Sequence, residues 1–97
     1  MYDIQLQLIP RIDAQRKVTQ FIALTLGTQL LGGEPEDPPI EVGEGVFWGV
    51  PVLLKIPRRG VVGQVGEILV NAYSGELKIE DDTLQSISSN AERLYQG

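Results

Sequence analysis

The stretch Val46–Ile79, VFWGVPVLLKIPRRGVVGQVGEILVNAYSGELKI, decides the fold. In its first arm Val46, Trp48, Val50, Val52, Leu54 and Ile56 share one face of an extended chain. Phe47, Gly49, Pro51, Leu53 and Lys55 share the other, because side chains alternate with a period of two along a strand. Pro51 cannot donate to a ladder, so it belongs on an edge side or at a bulge. Pro57-Arg58-Arg59-Gly60 turns the chain. The return strand, Val61–Tyr73, places Val61, Val65 and Leu69 on one face and Val62, Ile68, Val70 and Ala72 on the other. Ala72-Tyr73-Ser74-Gly75 reads as a type I turn with glycine in the left-handed position. Glu76–Ile79 then forms the third strand of a meander.

Working outward, Tyr2, Ile4, Leu6 and Leu8 alternate with polar residues, which predicts an N-terminal strand ended by Pro10. Asp13 is the expected N-cap of a first helix. Ala14, Val18, Phe21, Ile22 and Thr25 follow at helical spacing, with Leu26 and Leu30 widening the stripe. Gly32-Gly33 is the expected stop. Glu34–Pro39 is an acidic loop stiffened by three prolines, Ile40–Val42 starts a short strand, and Gly43-Glu44-Gly45 is a turn. At the other end, Glu80, Asp81 and Asp82 place negative charge where a helix N-terminus favours it. Leu84, Ile87, Ala91, Leu94 and Tyr95 then recur on one helical face. The predicted order is β-α-β-β-β-α: one α+β domain over residues 1–97, an antiparallel meander sheet with two helices.

Composition removes whole classes of chemistry. The chain has 97 residues, no cysteine and no histidine, so disulfides, thiol chemistry, imidazole catalysis and the usual zinc and copper ligand sets are all out of reach. No cofactor and no metal are expected. The net charge of -5 argues against nucleic acid as a partner. No apolar run approaches the ~18–20 residues of a membrane span. The N-terminus shows neither a basic region nor a continuous apolar run, and the expectation is a cytoplasmic protein.

The remaining candidates for chemistry are few. Gly60, Gly63 and Gly66 recur every third residue, but a phosphate cradle opens a helix and these glycines sit in a strand. Bulges, or close approach of another backbone, are the more economical reading. The carboxylates gather at Glu34, Glu36 and Asp37 and at Glu80, Asp81 and Asp82. A small hydrolase would need two of them held together in a cleft. Ser74, Ser86, Ser88 and Ser89 have no histidine to activate them, and Lys17, Lys55 and Lys78 show no motif spacing to any of them. Lys55, Arg58 and Arg59 make the one basic concentration, a hairpin tip.

Phe47, Trp48 and Leu53 form a candidate interface. The strand that carries them is apolar on both faces, and such a strand is normally buried on both. Either the two helices cover both faces or another subunit covers one of them, most simply as a symmetric homodimer.

Val70-Asn71-Ala72-Tyr73-Ser74-Gly75-Glu76-Leu77 resembles the terminal signature of PepSY-type modules, Val-Asp-Ala-x-Thr-Gly-Glu-Val, with Asn71 in place of the aspartate and Ser74 in place of the threonine. The resemblance implies an inhibitory or binding role. From Asp13 onward the chain is also similar to a group of short bacterial proteins. They share a helix ending near Gly-Glu-Pro, a strand like Phe47–Val52, and Val65-Gly66-Glu67-Ile68 before the Gly75 hairpin. That similarity implies no activity. Gly75 itself is read as a structural turn residue. The expected function is non-enzymatic, a protein-binding or self-assembling module. The alternative is an antitoxin-like regulatory partner whose acidic loop neutralises a basic enzyme.

Overall fold

The computed structural model describes residues 8–43 and 45–96. The elements in chain order are α1 (Arg11–Thr25), β1 (Leu30–Gly32), β2 (Ile40–Val42), β3 (Gly45–Ile56), β4 (Gly60–Asn71), β5 (Leu77–Lys78) and α2 (Asp81–Gln96). All strand pairings are antiparallel, and the fold is α+β as the patterning predicts. The strand expected over Tyr2–Leu8 lies, apart from Leu8, outside the described residues.

The β3–β4 hairpin is the spine. β5 pairs with β4, while β1 and β2 both pair with β3, at Val52–Leu54 and at Gly45–Phe47 respectively. They therefore lie end to end along one edge. Pro51 sits in the gap between them. Its carbonyl accepts from Gly33 N–H (2.7 Å), so its missing donor also points to that edge, where the ladder is interrupted and costs nothing.

Trp48, Val50, Val52, Leu54 and Ile56 are buried in one core with Ala14, Val18 and Ile22 of α1 and Ile87 of α2. Both helices thus pack on the same sheet face. The alternative in which one helix covers each face is overturned.

β4 corrects the expected face assignment. Val65 is 2% exposed and joins Ile68 and Val70 in the core, although strict alternation puts it on the opposite face. The register runs Val52↔Gly66 and then Leu53↔Gln64, and further on Leu54↔Gly63 and then Lys55↔Val61. β4 therefore carries one extra residue at Val65 and another at Val62, and each bulge resets the parity. Gly63 and Gly66 flank these irregularities and also admit α2. A Cβ on Gly66 would lie 2.5 Å from Ile87 Cγ1, and one on Gly63 would lie 2.9 Å from Leu94 Cδ1.

The first helix differs from expectation at both ends. Pro10 occupies the N-cap position and Asp13 lies inside the first turn, where its charge favours the helix dipole. The helix ends at Thr25, with Gly27 at φ +123° just beyond. Leu30–Gly32 is a strand rather than the helix's last turn. Gly32 is a point of close approach and not a stop. Its N–H donates to Thr19 Oγ1 (2.9 Å) and its carbonyl accepts from Gln15 Nε2 (3.1 Å). A Cβ there would meet the Gln15 carbonyl oxygen at 2.9 Å.

In α2 the expected face is only partly covered. Leu84, Ile87 and Ala91 pack on the core, whereas Leu94 and Tyr95 remain 38% and 53% exposed.

The turn after β4 is built as the sequence implies. Gly75 has φ +80° and donates to the Asn71 carbonyl (2.9 Å). Asn71 Oδ1 accepts from the Tyr73 and Ser74 amides, both at 2.9 Å, an Asx turn. A Cβ on Gly75 would meet only the flexible end of Lys17, with Cε at 3.0 Å, so the penalty for a side chain is in the backbone. Gly75→Val is expected to cost about 1–2 kcal/mol, read as a lower urea midpoint at unchanged slope. An unaltered midpoint would reject the turn assignment.

Candidate interface on the open sheet face

The sheet face away from the helices is built from the odd positions of β3 and their neighbours in register. Phe47, Gly49, Pro51, Leu53 and Lys55 run along its centre. Ile40 pairs beside Phe47, Leu31 beside Leu53, and Glu67 beside Pro51. Phe47, Pro51, Leu53, Leu31 and Leu69 are half-buried, while Ile40 is 45% exposed. Among the described residues no helix packs on this side.

Trp48 leaves the candidate interface. It is 4% exposed, it lies on the helix side, and its Nε1 donates to the Ile9 carbonyl (3.0 Å). The reason is parity: neighbouring strand residues point to opposite faces, and the even face belongs to the core. Phe47 and Leu53 remain on the open face. Lys78 of β5 holds its ammonium 5.5 Å from the centre of the Phe47 ring, a cation–π contact that covers one side of the aromatic.

The acidic loop folds onto the same face. Arg11 Nη1 donates to the Pro35 carbonyl (3.2 Å), Arg11 Nη2 lies 3.7 Å from Glu34 Oε2, and Pro35 is fully buried. The Asp37–Pro38 peptide is cis. So anchored, the loop brings Glu34, Glu36, Pro38 and Ile40 around Gly49, Pro51, Gln64 and Glu67 to form a depression of about 320 Å³. The missing side chain of Gly49 makes its floor, since a Cβ there would lie 2.7 Å from Glu67 Oε2. Sequence reading missed Glu67, because a lone glutamate in a strand carries no signal until the loop is folded beside it. The other carboxylate group, Glu80, Asp81 and Asp82, is exposed at the start of α2 and does not join this site. Arg11–Glu34 is the only ion pair found among the described residues, and no group of three or more acidic side chains there is arranged to hold a metal ion.

The basic residues are displayed at the far end. Arg58 and Arg59 are exposed in the turn of the hairpin, Arg58 with φ +71°, and Lys55 projects from the open face just before them. Ser74 Oγ accepts from the Glu76 amide (3.2 Å) and is part of the turn. Ser86 and Ser89 line the outer side of α2 with Asp82, Asn90 and Arg93.

A further groove of about 630 Å³ opens on the helix side between Leu26–Leu30 and the last turns of α2. Leu54 and Ala91 lie within it, and Ser88, Glu92 and Tyr95 are among its other lining residues.

The unpaired edge of β4 is poorly shaped for strand addition. Its bulges break the ladder, Asn90 Nδ2 donates to the Val65 carbonyl (2.9 Å), and Gln64 Nε2 donates to the Gly66 carbonyl (3.1 Å). Irregularities and occupied acceptors of this kind discourage edge-to-edge pairing.

Comparison with protein-family models, curated proteins and solved structures finds no match. The functional reading therefore rests on the geometry of these surfaces.

Proposed function

We propose that this chain is a non-enzymatic, cytoplasmic protein-binding module that self-associates through its open sheet face. One observation carries the reading. The twelve-residue strand β3 is apolar on both sides, and both described helices pack on one of them. The other side keeps Phe47, Leu53, Leu31, Leu69 and Ile40 together without a covering layer among the described residues. An apolar sheet face of this kind is stabilised by a second layer. The same face carries the acidic loop, which favours, as a second reading, a basic protein partner of the antitoxin-target kind.

Sedimentation equilibrium at micromolar concentration separates the outcomes. The parent is expected to be a dimer, and Leu53→Asp is expected to return it to monomer without loss of fold. A parent that stays strictly monomeric ends the self-association reading. A monomer that captures a basic protein through Glu36 and Glu67 supports the second one.

A further inference from the structure

Charge is distributed along the open face in a way that specifies an occupant. The depression at Gly49 and Pro51 is rimmed by Glu34, Glu36 and Glu67, and of these only Glu34 is in an ion pair among the described residues. Lys55, Arg58 and Arg59 stand exposed at the tip of the same hairpin. From Val50 to Arg58 is roughly 26 Å at ~3.3 Å per strand residue, too far for the tip to fold back onto its own depression.

We propose that two copies of this chain stack open face to open face, antiparallel, about a two-fold axis that passes through Leu53, perpendicular to the strands in the plane between the sheets. This deepens the self-association reading above and rests on it. The symmetry operation reverses direction along β3, so Leu53 meets its own copy and Lys55 of each chain comes over Pro51 of the other. There it lies between Glu67 on one side and the acidic loop on the other. Arg58 and Arg59 follow just beyond, toward Gly49. Both acidic rims and both tips are satisfied at once, and the pairing closes without leaving a surface for further copies. The face is about 40 Å long and about 15–20 Å wide by strand spacing. It therefore offers roughly 600–800 Å² per copy, close to the ~800 Å² per partner of standard interfaces. A basic partner of another kind would satisfy the acidic rim but leave the apolar centre at Leu53 and the basic tip unexplained.

Two charge-reversed variants test the arrangement: Lys55→Glu/Arg59→Glu and Glu36→Lys/Glu67→Lys. All four positions have exposed side chains, and circular dichroism checks that each variant folds. In sedimentation equilibrium each variant alone is expected to dimerise more weakly than the parent by about tenfold or more, because like charges then face each other. An equimolar mixture is expected to recover the parent affinity as a heterodimer, since each tip again meets a rim of opposite sign. The parent dimer is also expected to weaken as salt rises, a measurement that needs no variant. If Leu53→Asp dissociates the parent but neither charge reversal does, or if the mixture fails to recover, the open-face interface stands and this pairing is overturned. A strictly monomeric parent overturns both.

Discussion

Trp48→Ala is expected to lower stability by about 3–5 kcal/mol, the usual cost of removing a buried aromatic. Trp48 is 4% exposed and belongs to the core that the sheet forms with the helices. Its indole also holds the chain at Ile9, where the Ile9 N–H donates in turn to the Ala72 carbonyl (2.7 Å). Trp48→Phe keeps most of the ring volume and removes the hydrogen bond, so a smaller loss is expected, about 1 kcal/mol for the bond plus a modest cavity contribution. Urea unfolding followed by far-ultraviolet circular dichroism reads both, since the sole tryptophan is lost as a fluorophore. A Trp48→Ala midpoint within error of the parent would show that the indole is not packed in the core. For the same reason Trp48→Asp reports on folding and not on association.

Gly66→Val is the second large effect. Its Cβ alone would sit 2.5 Å from Ile87 Cγ1, a separation real side chains do not adopt, so α2 must move away from β4. Ile87 is the only fully buried residue of α2, so the clash falls on the most deeply packed contact of this helix. Overpacking of this kind costs about 1–3 kcal/mol and sometimes more, and the upper part of that range is expected here. The mechanism has a specific signature. Ile87→Ala should cost less in the Gly66→Val background than in the parent, because the two side chains compete for one space. Strict additivity in a double-mutant cycle would reject the contact.

The class of the fold was legible in the sequence because its period is local. Alternation along Val46–Ile56 assigns the buried face of β3 correctly, residue by residue from Trp48 to Ile56. The turn at Gly75 was legible because only glycine takes a left-handed conformation without penalty. The glycines at 63 and 66 were readable as marks of bulges, and the two register shifts fall beside them; what approaches them closely is not another backbone but the Ile87 and Leu94 side chains of α2.

Other features depended on partners distant in sequence. Leu30 carries the same apolar signal on a helix or a strand, and pairing with Leu54 decides for the strand. Val65 joins the core face because it is itself the extra residue of a bulge, and a register shift is a property of two strands, not of one. Glu67 became part of a site only when Arg11 and the buried Pro35 held the acidic loop across the sheet from it. The sequence by itself determined which residues alternate, where the chain turns and which chemistries it lacks, since these follow from side-chain type and nearest-neighbour geometry. Only the tertiary structure decided that both helices share one face and that Phe47 and Leu53 lie on the other. Which face a helix covers depends on burial summed over elements that are remote along the chain.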